Sequence, residues 1–351
     1  MKKIAPLLIV LLLIACSSDD GEVIIIDDTS EIVDDSDNNT SSDDNTDDDS
    51  TTSDETSSVR FSEDEFFSDN QLTADQNVIY ATINGTDLQM DFIYPDLSED
   101  SLSERPFIML IHGGSFISGN REMMIGACIE FAKRGFVAAT ITYRLDGGDV
   151  PGRYKAEQDA HAALRYVVSE ASTYGIDVNN IYVGGDSAGA IMANGMVFND
   201  QREWELRDMN LNLEGEFGGL YSSGNSLTTT YEIKGVYNNW GSVYTGLNNN
   251  AVDQEDAVPT ISFHGEQDTV VDIDFNASNS TGGSRFIHEL LIGFNVCSQL
   301  NTDPEGGHGI YQGEEGLTFR VSKASCFFKS VMENTCSSSS ANEMVEANCS
   351  V

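Results

Sequence analysis

Ile181-Tyr182-Val183-Gly184-Gly185-Asp186-Ser187-Ala188-Gly189 is the stretch that decides the fold. Ile181–Val183 is a short β-prone strand. The paired glycines make a tight turn, and Ala188–Phe198 is an apolar segment that reads as a buried helix. The pattern Gly-x-Ser-x-Gly falls on the turn itself. Small residues at 185 and 189 let the two backbones pack closely. They leave Ser187 in a strained conformation with its hydroxyl exposed, at a helix N-terminus whose dipole favours developing negative charge.

Outward from this turn, strands and helices alternate. Val78–Ile83 and Leu88–Tyr94 flank Asn84-Gly85, a hairpin signal. Phe107–Ile111 reads as a buried strand, Met123–Lys133 as a helix and Phe136–Tyr143 as a strand. In 154–174, Ala160, Ala163, Leu164, Val167 and Val168 fall on one helical stripe. Ile233–Val236 and Thr260–Phe263 are further strands, and Arg285–Phe294 and Ala324–Met332 further helices. The expectation is an α/β fold with a mostly parallel central sheet and helices on both faces. Residues 199–232 are irregular, and both a lid beside a pocket and a long surface connection fit them.

Serine alone is a poor nucleophile. It needs a base, and the base needs an orienting acid. The chain has five histidines. His161 and His288 lie inside helical patterns. His308, in Glu305-Gly306-Gly307-His308-Gly309, sits in a flexible loop after the last expected strand and is the candidate base. Asp268 is the candidate acid, because it follows the Thr260–Phe263 strand, and open α/β sheets carry their chemistry at such strand ends. Glu266 and Asp272 compete with it, and His264 reads as a brace for the same loop. After Phe107–Ile111, the run His112-Gly113-Gly114-Ser115-Phe116 lets backbone N–H groups turn inward. Gly113 and Gly114, with Ala188, are the candidate oxyanion donors. No Gly-x-Gly-x-x-Gly or Gly-Lys-Ser phosphate motif is present.

These motifs resemble the α/β-hydrolase carboxylesterases, in particular the bacterial group with His-Gly-Gly loops related to hormone-sensitive lipase. The similarity also takes in Phe131-Ala132-Lys133-Arg134-Gly135-Phe136 and Tyr143-Arg144-Leu145, and it covers roughly residues 78–330. It implies the α/β-hydrolase fold, Ser187 as nucleophile, Asp268 as acid, His308 as base and no cofactor. Ser115 stands where many relatives have a third glycine, and Ala190 where glycine is frequent. The implied substrate is a small-molecule or polymer-borne ester. A serine peptidase of the same fold and a non-catalytic surface-binding protein are the alternative readings.

The 18 Lys+Arg against 58 Asp+Glu give a net charge of −40, which excludes a nucleic-acid footprint. Met1-Lys2-Lys3 followed by the apolar 4–15 reads as a signal peptide, and Leu13-Ile14-Ala15-Cys16 resembles a lipobox. The expectation is a leader at 1–15, lipidation at Cys16 with anchoring to a membrane, and a bacterial outer-membrane, surface-exposed location. Residues 16–58 read as a disordered acidic tether and 59–351 as the catalytic domain. The aspartates of the tether lack the glycine and distal glutamate of a calcium loop. Four cysteines, Cys297, Cys326, Cys336 and Cys349, suit up to two disulfides in an oxidising space, with three pairings open. Cys128 reads as a buried apolar group. No Cys-x-x-Cys pair or histidine cluster suggests a metal site.

Overall fold

A computed structural model describes residues 60–98, 100–246 and 252–349. The expected leader, Cys16 and the acidic tether lie outside the described residues.

The chain opens with β1 (Leu72–Ile83) and β2 (Thr86–Pro95), then β3 (Arg105–Ile111), α1 (Ile125–Lys133), β4 (Val137–Ile141), α2 (Val150–Ser169) and the short α3 (Ala171–Tyr174). It continues with β5 (Ile176–Asp186), α4 (Ala188–Phe198), α5 (Gln201–Arg207), α6 (Leu213–Phe217), β6 (Ile233–Asn239) and β7 (Ser242–Tyr244). It closes with β8 (Thr260–Gly265), β9 (Phe275–Asn276), β10 (Thr281–Gly283), α7 (Ser284–Gly293), β11 (Ser298–Asp303), α8 (Gly313–Met332) and β12 (Ser339–Ala341).

The main sheet has nine strands in the order β1-β2-β4-β3-β5-β6-β8-β11-β12. From β4 to β12 every neighbouring pair is parallel, while β1 and β2 form an antiparallel edge. The hairpin forms at the expected turn. Ile83 faces Thr86, and Asn84 and Gly85 both take positive φ (52° and 81°), as a tight two-residue loop requires.

β3 shows why the sheet is covered on both sides. All seven of its residues are buried. Phe107, Met109 and Ile111 point to a core with Ala160, Leu164 and Val167 of α2 and Met192 of α4. Ile108 and Leu110 point to the opposite core, with Phe131 of α1 and Phe319 and Phe327 of α8. Such a strand carries no polar alternation, because each face meets helices. Each large apolar side chain fully removed from water in this way contributes about 1.5–3 kcal/mol.

Several elements depart from the sequence reading, β11 and α8 among them. β11 was not expected, since Ser298-Gln299-Leu300-Asn301-Thr302-Asp303 holds a single strongly apolar residue. It pairs with β8 through its backbone, so His308 follows this strand and not Thr260–Phe263. α8 begins at Gly313, well before Ala324, because its first turns are acidic on the solvent side. Residues 199–232 contain α5 and α6, which fold back onto α2. Trp204, Leu213 and Leu220 join Tyr154 in a small core, and the Tyr154 hydroxyl donates to Gly218 O at 2.7 Å.

The open cysteine pairing resolves into Cys297–Cys336 and Cys326–Cys349. Cys128 is buried and free, and burial pushes its thiol far above the ordinary range.

Candidate active site

β5, β8 and β11 run in parallel, so the loops beyond their C-terminal ends meet at one side of the sheet. Ser187 sits where β5 turns into α4. Its backbone, at φ 55° and ψ −117°, lies outside the regions that L-residues favour. Neighbouring structure holds it there: Ser187 N donates to Asn239 O at 3.0 Å, and Asn239 Nδ2 donates to Asp186 Oδ1 at 2.8 Å. The elbow packs against β3 with no room to spare. A Cβ on Gly189 would stand 1.9 Å from Ile111 O, and one on Gly185 2.2 Å from the same oxygen.

The three expected side chains meet. His308 Nε2 is 2.8 Å from Ser187 Oγ, and His308 Nδ1 is 2.7 Å from Asp268 Oδ2. Burial pushes the Asp268 carboxyl upward. Hydrogen bonds from His264 and His308, and from the amides of Val271 and Val270, outweigh this and hold it far below the usual carboxylate range. Asp268 is therefore ionised and can only accept. That fixes the imidazole tautomer: Nδ1–H donates to Asp268, and Nε2 presents its lone pair to the serine hydroxyl.

The competing acids are occupied elsewhere. Glu266 pairs with Arg285 at 3.0 Å, and Asp272 accepts from Asn276. His264 is buried and braces the acid loop, as expected. Its Nε2–H donates to Val271 O at 2.9 Å and lies 3.2 Å from Asp268 Oδ2, while Nδ1 contacts Ser284 Oγ at 2.7 Å. His161 and His288 are buried, with Nδ1 against Tyr231 Oη and Ser298 Oγ respectively.

His112 holds the glycine loop in place. Its ring stacks on Tyr143 with centroids 4.4 Å apart, its Nδ1–H donates to Gly113 O at 2.7 Å, and the Tyr143 hydroxyl donates to His112 O at 3.0 Å. Burial lowers its pKa, so it is neutral. Gly113 abuts the nucleophile, since a Cβ there would lie 3.3 Å from Ser187 Cβ. The amides of Gly113 and Gly114 donate to no acceptor among the described residues. Ala188 opens α4, where first-turn amides have no intrahelical acceptor. Gly113 and Ala188 thus lie beside the serine with N–H groups available, and Gly114 follows in the same loop with its N–H likewise unengaged among the described residues.

Ser187 and Ala188 open into a cavity of about 540 Å³. Its far wall was not read from the sequence. It includes Arg153 and Glu157 of α2, Trp204 and Arg207 of α5, and Tyr244 at the end of β7. The signal was weak because these residues are far apart along the chain and belong to no motif.

With this geometry in view, comparison with known proteins narrows the class. Solved esterase structures superpose over most of the chain. The butyrate-bound esterase Est2 of Thermogutta terrifontis covers 75% of this chain and 95% of its own, with a TM-score of 0.56 at 19% identity. A truncated carbohydrate esterase from gut microbiota covers 77% and 100%, with a TM-score of 0.56 at 19% identity. The fold is that of the α/β hydrolases. The BD-FAE family model matches residues 90–247, which span β3 to β7 and include the elbow. Among curated proteins, esterase LipI of Mycobacterium tuberculosis is 34% identical over 93 residues, 26% of this chain and 28% of LipI. The neuroligin-like protein glit-1 of Caenorhabditis elegans is 32% identical over 110 residues, 29% of this chain and 15% of its own. This chain thus spans less than a third of the length of either curated relative.

Proposed function

We propose that the protein is a serine carboxylic-ester hydrolase. The carrying observation is the line Ser187 Oγ–His308–Asp268, with hydrogen-bond separations of 2.8 and 2.7 Å. His308 Nε2 takes the serine proton as Oγ attacks the ester carbonyl. The imidazolium that forms faces the Asp268 carboxylate, which stabilises it without taking the proton. The carbonyl oxygen gains negative charge beside the amides of Gly113, Gly114 and Ala188. His308 then returns the proton to the leaving alcohol, and water, deprotonated by the same ring, releases the acid from Ser187. The names of LipI and of the superposing structures support an ester as substrate.

Lipid anchoring at Cys16, an acidic tether at 16–58, a catalytic domain at 59–351 and an outer-membrane location complete the proposal. They rest on the sequence motifs, and the two disulfides suit an oxidising compartment.

Ser187→Ala should lower p-nitrophenyl acetate turnover by about 10³-fold or more and abolish labelling by a fluorophosphonate probe. Wild-type turnover in that variant would overturn the assignment. A wild-type protein that neither labels nor turns over any ester would favour a binding role.

A further inference from the structure

Two guanidinium groups face the cavity that holds Ser187, and neither has a carboxylate partner among the described residues. Most other arginines are paired: Arg60 and Arg105 with Asp100, Arg121 with Asp91, Arg134 with Glu130 and Arg144 with Asp159, whereas Arg165 spends its guanidinium on the Tyr221 and Ser223 carbonyls and Asn225. Arg207 instead lies against two rings, with its Cζ 3.5 Å from the centre of Trp204 and 4.5 Å from that of Tyr244. Its Nη2 donates to Asn199 Oδ1, and its Nε is buried with no hydrogen-bond partner. Arg153 donates from Nε to Gly148 O at 2.7 Å and lies 5.2 Å from the centre of the Phe116 ring. Its two terminal nitrogens have no partner among the described residues.

Asp149 lies near Arg153, and Glu157 and Glu203 near Arg207, but none makes a direct ion pair. A largely desolvated guanidinium without such a contact is costly, so a fold that keeps two of them facing one cavity leaves room for an outside partner. The planar fork, fixed here against aromatic rings, matches the geometry of a carboxylate.

We propose that this cavity binds esters that carry a second, free carboxylate, held by Arg207 and Arg153 while the scissile carbonyl lies at Ser187. The inference rests on the ester-hydrolase reading above and names its substrate class. The acids that share the cavity leave this role open. Burial raises Glu157 to about 7, against a weaker opposing pull from Arg207 and the Trp204 Nε1–H, which donates at 2.8 Å. Near neutral pH much of Glu157 is therefore uncharged. Asp149 caps α2 by accepting from Gly152 N at 3.0 Å, and Asp272 is exposed and tied to Asn276. Arg207, lowered to about 10 by burial, keeps its charge at neutral pH.

The test compares esters of matched length in the full-length protein. One arm sets the p-nitrophenyl monoester of glutaric acid against p-nitrophenyl valerate, placing the carboxylate on the acyl half. The other sets 4-acetoxybutanoate against butyl acetate, placing it on the alcohol half. In at least one arm the wild type should favour the carboxylate by about tenfold or more in kcat/KM, the size of one good charged contact. Arg153→Gln and Arg207→Gln should each reduce that preference severalfold, and Arg207→Lys should reduce it less than Arg207→Gln. Glutarate should inhibit the wild type competitively and glutaramide should not, a reading that stands even if an Arg207 variant fails to fold. A wild type that hydrolyses the neutral esters as well as or better than the charged ones overturns this inference and leaves the hydrolase reading intact. A wild type that hydrolyses none of the four fails the hydrolase reading itself.

Discussion

Asp268 shows how much of the chemistry one side chain settles. Its Oδ1 accepts from Val270 N at 2.8 Å and Val271 N at 3.0 Å, and its Oδ2 from His308. Asp268→Asn would leave the shape and remove the acceptor that fixes the His308 tautomer. The amide would then favour the ring with its proton on Nε2, facing the serine. We expect kcat for p-nitrophenyl acetate to fall by about 10⁴-fold with KM little changed, read by steady-state kinetics. The sign of the pH dependence follows from the lowered pKa. The stabilisation that Asp268 provides is present above the unfolded value, about 3.9, and is lost as pH falls through the folded one. At this scale the sequence was informative where chemistry demands a local pattern. Ser187 lies in a motif, and His308 and Asp268 were found because few histidines and few strand-end acids compete. Arg207 and Glu157 could not be found that way, because nothing local distinguishes a guanidinium that lines a cavity from one on a solvated face.

At the scale of elements, the elbow depends on close backbone approach, with Gly185 and Gly189 both against Ile111 O. Gly189→Ala would force β5, α4 and β3 apart. The expected result is a loss of at least about 3 kcal/mol, the upper end for added volume in a packed site. Thermal melting would read this as a clear drop in Tm, accompanied by loss of ester hydrolysis. A variant that melts like the wild type would mean that β3 shifts without penalty. Helices and strands with a strong apolar period were legible: α4 spans Ala188–Phe198, the span expected from the sequence. β11 and the short β12 were not, because their pairing comes from backbone groups and tertiary neighbours and not from side-chain alternation. The 199–232 excursion hid a helix whose start is nonetheless locally encoded. Asp200 accepts from Glu203 N at 2.9 Å and Glu203 reaches back to Asp200 N at 2.8 Å, a capping box that sets α5 and with it Trp204 and Arg207.

At the scale of the whole molecule, the C-terminal segment is fastened twice. Cys326–Cys349 ties α8 to the residues after β12, across a separation of 23 residues. A closed loop of that size is worth about 3 kcal/mol in the chain-entropy model. The double variant Cys326→Ser/Cys349→Ser should therefore melt about 5 °C lower by calorimetry, while retaining ester hydrolysis at 25 °C. A Tm equal to the wild type would show that packing alone holds the tail. Cysteine count set an upper limit of two bonds in advance, but the pairing depended on which loops the sheet brings together.

The ends of the nine-stranded order have a further consequence. One border is β12, three residues long, and the other is β1, whose register with β2 slips between Asp75 and Val78 and again between Ile79 and Ala81. Short or bulged borders are poor templates for lateral growth. Copies crowded together would find little straight ladder on one another to extend, so a large, mostly parallel sheet carries small risk of zippering into aggregates.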